Sequence, residues 1–151
     1  MAVKYMPDGY NNVSPYLVVE GADKLIDFMS AVFGAKERFR LPGPGGAIGH
    51  AEMQLGDSVV MLGDSGTTDD NRIQTAMVHV YVDDCDATFK AAIGAGATQE
   101  RELQTMFYGD RNGAVRDPFG NVWFISTHVE DVSPDEMEKR SKEFLAQQGQ
   151  S

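Results

Sequence analysis

Apolar and polar residues follow two different periods along this chain, and the order of those periods is repeated once. In each half, a β-rich segment precedes a stretch with apolar residues at helical spacing, and three strand-like segments follow. The predicted strands are residues 14–19, 36–41, 47–55 and 58–62, then 75–82, 99–103, 113–117 and 121–127. The pattern predicts an α+β fold built from two tandem βαβββ modules.

The two halves also resemble each other in sequence. Residues 19–23 align with residues 82–86, and residues 33–35 with residues 95–97, at an offset of about 62 residues. Between the halves lie small polar residues and glycines, which are typical of a surface linker. We therefore predict a single domain that comprises module one (about 10–63), a linker (about 64–73), module two (about 74–128) and a carboxyl-terminal helix (about 133–148).

Three amphipathic helices are predicted, two inside the modules and one after them. In the first, Leu25, Met29 and Val32 recur at helical spacing and Gly34 marks its end. In the second, Asp83 or Asp84 is the cap and the buried stripe is expected to contain Phe89 and Ile93. The third begins at the capping box Ser-Pro-Asp-Glu at residues 133–136, and we expect it to pack through Met137, Phe144 and Leu145.

Composition and charge exclude several classes of partner. The formal net charge of −10 opposes binding to nucleic acid, because such binding depends on Lys and Arg displacing counterions from phosphates. No apolar run approaches the roughly 18 residues of a membrane span. The single cysteine, Cys85, excludes an internal disulfide, and the amino terminus lacks the features of a signal peptide. We expect a cytoplasmic protein that binds neither membranes nor nucleic acid.

The second half contains the segment FYGDRNGAVRDPFGNVWFISTHVEDVSPDEM. Together with the duplicated modules, it resembles the vicinal-oxygen-chelate superfamily of glyoxalases, bleomycin resistance proteins and dioxygenases, and most closely its PhnB-like branch. The resemblance covers about residues 10–140. It implies sheets that curve into a cup for a small molecule, usually in a homodimer. It implies no single chemistry, since one fold supports many functions.

The resemblance also locates the positions at which metal-dependent relatives place His or Glu ligands. They correspond here to Ser14, Met61, Met77 and Phe124. A hydroxyl, two thioethers and a phenyl ring are poor ligands for the usual divalent ions. We therefore expect no metal cofactor, with a divalent metal held elsewhere as the alternative.

Strand parity then predicts which side chains face the cup, because alternate residues of a strand point to opposite faces. Counting from the four ligand-equivalent positions selects aromatic, thioether and hydroxyl side chains, a composition typical of a small-molecule pocket. The alternative is an ordinary core lined by the same residues. The predicted pocket contains Ser14, Tyr16, Val59, Met61, Met77, His79, Tyr81 and Phe124.

Several polar residues have both a functional and a structural interpretation. His79 and Tyr81 are the candidates for ligand contact or acid–base catalysis. Arg111 is a candidate for clamping an anionic ligand at the rim, although a structural role is the favoured interpretation. His50 and Glu52 alternate with apolar residues, so we expect them on a solvent-facing strand surface; a shifted metal site is the alternative.

These observations predict a metal-independent protein that binds a hydrophobic or aromatic small molecule in a dimeric cup. The alternative is an enzyme of the same superfamily, of lyase, isomerase or dioxygenase type, which acts through a metal or through His79. A module that binds only other proteins would instead fill the cup with its own side chains.

Overall fold

The computed structural model describes residues 2–68 and 72–149, and it confirms the predicted order of elements. Module one contains β1 (Tyr16–Val19), α1 (Ala22–Phe33), β2 (Lys36–Pro42), β3 (Ile48–Leu55) and β4 (Ser58–Asp64). Module two contains β5 (Met77–Tyr81), α2 (Cys85–Gly94), β6 (Thr98–Thr105), β7 (Asp110–Arg116) and β8 (Val122–His128), and α3 (Pro134–Gln148) follows. Residues 69–71 of the predicted linker lie outside the described residues.

Each module has its own four-stranded mixed sheet, and the two sheets share one topology. The strand orders are β1-β4-β3-β2 and β5-β8-β7-β6. The first and last strands of each module pair in parallel, and the other pairs are antiparallel. Tyr16 pairs with Met61, and His79 pairs with Phe124, so the same register recurs in the two sheets.

One face of the module-one sheet is covered by α1 and forms the core of that module. Leu17, Val60 and Leu62 are at most 2% exposed, as are Leu25 and Met29 of the helix. Tyr16 and Met61, which alternate with them on β1 and β4, are more exposed. We call the surface to which Tyr16 and Met61 belong the non-helix face of module one.

The amino end of α1 is held by a carboxylate from the end of β4. Gly21 has the left-handed φ of 92° that the chain needs to enter the helix at this point. Asp64 Oδ1 accepts hydrogen bonds from the amides of Gly21 and Ala22, while Oδ2 accepts from Ile48. Asp64, predicted as the first linker residue, therefore ends β4 and ties three elements together.

Module two buries Trp123 and Ile125 of β8 and Phe89 of α2. Of the two predicted caps of α2, Asp84 accepts from the amide of Ala87. The prediction that Ile93 is buried is wrong, because 41% of it is exposed near the end of this short helix.

Helix α3 begins at the predicted cap, where Ser133 Oγ accepts from the amide of Glu136. It is attached mainly by Arg140, which donates to the Phe107 carbonyl and to both carboxylate oxygens of Glu130, and by ring contact between Phe107 and Phe144. The predicted packing of Leu145 is wrong, since 65% of it is exposed. Within the described ranges, no helix combines the length and the apolar character that a bilayer crossing requires.

Candidate functional site

The non-helix face of module one carries a continuous chain of hydrogen bonds between polar side chains. The Tyr16 hydroxyl lies 2.9 Å from His50 Nδ1, and His50 Nε2 lies 2.8 Å from Glu52 Oε2. The other oxygen of Glu52 accepts a short hydrogen bond from the Tyr10 hydroxyl. The strands fix this arrangement, because Glu52 is paired with Met61, which in turn is paired with Tyr16.

Glu52 is the most buried member of this chain, at 4% exposed. Burial raises the pKa of its carboxyl group, but hydrogen bonds from His50 and Tyr10, together with the positive charge of Arg38, outweigh burial and hold the pKa below its usual value. Burial of the Tyr16 phenol, and after it the nearby Glu52 carboxylate, raise the pKa of Tyr16. At neutral pH the site therefore combines an ionised carboxylate with protonated phenols.

Residues 5–12 run along this face before β1 begins, and we call them the amino-terminal segment. Apart from the Tyr10–Glu52 bond, they are held by Arg38, which donates to the Gly9 carbonyl and stacks on the Tyr10 ring at 4.5 Å. Asn11 donates to the Asp57 carbonyl. The segment is thus fixed to the sheet at several points by polar contacts.

A cavity of about 490 Å³ lies along the amino-terminal segment beside Glu52. This volume is in the range of small-molecule sites. Its walls combine aromatic rings and thioethers with a few polar groups, and they consist of Tyr5, Met6, Pro7, Tyr10, Asn11, Asn12, Ser14, Glu52 and Met61. Two predicted pocket residues, Ser14 and Met61, therefore line the same cavity.

The expectation that His50 and Glu52 both face solvent is wrong for Glu52, which is 4% exposed, whereas His50 is partly exposed. Alternation along β3 places them correctly on the face opposite the helix, but the amino-terminal segment covers that face over Glu52. Sequence reasoning assigned no role to Tyr10 or its neighbours. Glu52 is the β3 partner of Met61, so the alternation that places Met61 in the predicted pocket also places Glu52 on the pocket side of the sheet.

Of the remaining predicted residues of module one, Tyr16 is 44% exposed and packs its ring against that of His50, with the centroids 5.4 Å apart. Val59 is paired with Gln54 and is 1% exposed. Val59 is thus a packed residue of the sheet, whereas Tyr16 offers a partly open aromatic surface.

The predicted residues of module two form an aromatic cluster on β5 and β8. His79 stacks on Phe124 at 6.3 Å between centroids and contacts the ring of Tyr81 at 4.9 Å. Its Nε2 atom lies 2.9 Å from the hydroxyl of buried Ser126. Met77, on the same strand, is 69% exposed.

A second chain of polar contacts begins at Tyr81, whose hydroxyl donates to Asp110 Oδ2 at 2.7 Å. The other oxygen of Asp110 lies 2.8 Å from His128 Nδ1, and His128 Nε2 lies 2.7 Å from Asp131. Hydrogen bonds to Asp110 and then Asp131 raise the pKa of His128. Burial raises the pKa of Asp110, but the bonds from His128 and Tyr81 more than compensate and lower it.

Arg111, a predicted rim residue, is held in a bidentate ion pair. Its guanidinium donates to both oxygens of Asp86, in the first turn of α2, at 2.8 and 2.9 Å. This contact raises the pKa of Arg111 and lowers that of Asp86. In this arrangement Arg111 fastens β7 to α2.

Comparison with known proteins identifies the family. The profile of the glyoxalase/bleomycin resistance protein/dioxygenase superfamily matches residues 10–125, a range that covers module one and extends through module two into β8. The chain belongs to this superfamily.

The chain is also similar to individual proteins in sequence and in structure. An uncharacterized protein of Mycobacterium tuberculosis strain H37Rv is 38% identical over 135 residues, which cover 83% of this chain and 79% of that protein. The crystal structure of TioX from Micromonospora sp. ML1 is similar at 28% identity and a TM-score of 0.66, and covers 79% of this chain and 99% of TioX. The PhnB protein of Bacillus cereus shares the fold at 17% identity and a TM-score of 0.56, over 78% of this chain and 99% of that one.

The resemblance to the superfamily implied four metal-ligand positions, Ser14, Met61, Met77 and Phe124, and the structure places them as follows. Ser14 and Met61 line the cavity of module one, while Met77 and Phe124 belong to the strands of the aromatic cluster in module two. Among the residues that the structure describes, no three or more His, Cys, Asp or Glu side chains are grouped to hold a metal. His50 and Glu52 supply two donors, one fewer than the three protein ligands of a typical catalytic zinc site.

Proposed function

We propose that this protein is a small-molecule-binding member of its superfamily that works without a metal ion. The cavity of module one is the binding site, and its ligand is hydrophobic or aromatic. The observation that carries this proposal is the position of Ser14 and Met61: both line a cavity of ligand size together with tyrosine rings. Thioether and aromatic walls favour apolar and aromatic ligands through contact area and ring stacking.

The proposal is tested by thermal unfolding of the wild-type protein with a panel of aromatic and phenolic compounds. A ligand that binds the folded state raises the Tm in a concentration-dependent way. Ser14→Phe should fill the cavity and abolish the shift, whereas Ser58→Phe, at the start of β4 and outside the cavity lining, should retain it. Failure of every compound at high micromolar concentration would count against binding of this class.

Metal independence is tested on protein purified without chelator. We expect elemental analysis to find no stoichiometric zinc, nickel, manganese or iron, and we expect chelator dialysis to leave ligand affinity unchanged. Stoichiometric metal that is lost together with ligand binding would overturn this part of the proposal.

The same proposal includes a homodimer in the cytoplasm, on the grounds of the superfamily resemblance and of the composition of the chain. Light scattering after size exclusion should give twice the mass of one chain. A monomer at micromolar concentration would contradict the dimer. It would not affect the proposed binding site in module one, which the ligand experiments test.

A second candidate function, acid–base catalysis, is favoured by one observation. His50 is oriented by a buried carboxylate and faces a hydroxyl through its other ring nitrogen, which is the arrangement of an activated general base. His79, the residue predicted for this role, contacts a serine hydroxyl instead. Solvent deuterium exchange into small carbonyl compounds, lost in His50→Gln and retained in His79→Gln, would support an enzyme.

A further inference from the structure

We infer that the cavity of module one takes an organic ammonium ion attached to an apolar or aromatic body, with Glu52 as the partner of the cationic group. This inference rests on the proposed function, since it specifies the chemistry of a ligand bound in the same cavity. It goes further because it assigns charge selectivity to one residue.

The lining of the cavity carries one acidic side chain but no basic side chains. Of its nine lining residues, Glu52 alone has a carboxyl group, and none is Lys, Arg or His. A negative charge in a cavity with apolar walls interacts more strongly with a bound cation than the same charge would in water. An anionic ligand would instead meet Glu52 without a cationic residue in the lining.

Inside the protein, Glu52 is hydrogen-bonded to one phenol and one imidazole. Tyr10 is a neutral donor, and His50 is charged only when protonated. The positive charge of Arg38 also acts on Glu52, but its guanidinium donates hydrogen bonds to Gly9 and Gln54. Each carboxylate oxygen of Glu52 accepts one of the two hydrogen bonds from Tyr10 and His50, and such an oxygen can accept two, so an ammonium donor in the cavity can add to this set.

Much of the remaining cavity wall consists of aromatic rings and thioethers. Tyr5 and Tyr10 contribute aromatic rings to the cavity, and Met6 and Met61 contribute thioethers. Aromatic faces attract ammonium groups, and thioethers adapt to apolar bodies of varied shape. The cavity therefore offers both of the surfaces that an amphipathic amine needs.

The test is a charge series on one scaffold, measured by isothermal titration with the full-length protein at pH 7. Tryptamine is the cation, 3-propylindole the neutral analogue and indole-3-propionate the anion. We expect tryptamine to bind about tenfold or more tightly than the neutral analogue, since hydrogen bonds to a buried charge contribute more than neutral ones. The anion should bind most weakly.

The matched variants are Glu52→Gln, which removes the charge, and Glu37→Gln on β2, which removes a surface carboxylate outside the cavity lining. The preference for tryptamine should collapse in Glu52→Gln and persist in Glu37→Gln. Circular dichroism checks that both variants fold. If Glu52→Gln is unfolded, the three affinities measured with the wild-type protein test the charge selectivity on their own.

The outcomes separate the inference from the function on which it rests. If the neutral analogue or the anion binds as well as tryptamine, or if Glu52→Gln keeps the preference, the inference is overturned while binding of apolar ligands stands. If none of the three indoles binds at millimolar concentration, both the inference and the proposed cavity site are rejected.

Discussion

Strand parity predicts the face of the sheet on which Glu52 lies, but it does not predict that Glu52 is buried. The alternation along β3 correctly separates Glu52 from the core residues Ala51 and Met53. It cannot reveal that Tyr10, 42 positions earlier, closes over the carboxylate, because that contact depends on the path of a segment without periodicity. Burial of Glu52 therefore could not be predicted from the strand pattern alone.

The tautomer of His50 is the first prediction at this scale. Since the ionised Glu52 can only accept a hydrogen bond, His50 should carry its proton on Nε2 and accept from the Tyr16 hydroxyl at Nδ1. Nitrogen-15 NMR of labelled protein at pH 8 reports the tautomer directly. Glu52→Gln should remove this bias, and an Nδ1-protonated wild type would contradict the arrangement.

The second prediction concerns Tyr10. Tyr10→Phe removes one donor to Glu52, so the pKa of Glu52 should rise and the amino-terminal segment should exchange its amide hydrogens faster. The matched control is Tyr5→Phe, because Tyr5 is 86% exposed and its hydroxyl accepts from Asn12 in the same segment rather than bonding to the sheet. Equal exchange rates in the two variants would show that the Tyr10 contact does not hold the segment.

At the scale of elements, the connection between β8 and α3 depends on a close backbone approach. Gly109 has a φ of +97° and accepts hydrogen bonds from the amides of Val129 and Glu130. A Cβ atom at Gly109 would lie 2.2 Å from the Glu130 carbonyl oxygen. No residue with a side chain fits without moving one of the two backbone segments.

Gly109→Ala should therefore destabilise the protein more than an alanine at an open left-handed position. Gly56 is the matched control, because its φ is +61° and a Cβ atom there would have no neighbour within 4 Å, so Gly56→Ala should cost about 1–2 kcal/mol. Gly109→Ala should cost a further 1–3 kcal/mol, roughly the penalty of overpacking. Urea unfolding measures both, and equal losses would contradict the close approach.

The chain of contacts through His128 joins β7, β8 and the residues before α3, and it predicts a pH dependence. The folded-state pKa of His128 is raised above the ordinary value of about 6.5. The contribution of His128 to the stability of the fold is therefore complete below about pH 6.5. The contribution is lost as the pH rises through the folded-state pKa. The difference in Tm between wild type and His128→Asn should be larger at pH 5.5 than at pH 9.

Asp110→Asn is the companion variant, because it removes the carboxylate shared by His128 and Tyr81. In this background the effect of His128→Asn at pH 5.5 should shrink, since much of the ion pairing is already gone. A Tm difference that grows toward high pH would contradict the assigned direction.

At the scale of the whole chain, the duplication was readable from sequence because both modules repeat the same alternation and the same register. The chemical character of each sheet face could not be predicted from the repeat, because corresponding positions carry different side chains. Tyr16 and Met61 of module one correspond to His79 and Phe124 of module two. The repeat fixes where side chains stand on each sheet. Segments outside the regular strands determine which of those side chains are covered, as Tyr10 of the amino-terminal segment covers Glu52.

The placement of the amino-terminal segment has a practical consequence for protein production. Residues 5–7 form part of the cavity wall, so an affinity tag fused to the first residue begins only a few positions from the site. Compound screens should use untagged protein or a cleavable tag at the opposite end. A recombinant form trimmed to begin at β1 would lack one wall of the cavity and should lose any ligand that the proposed site binds.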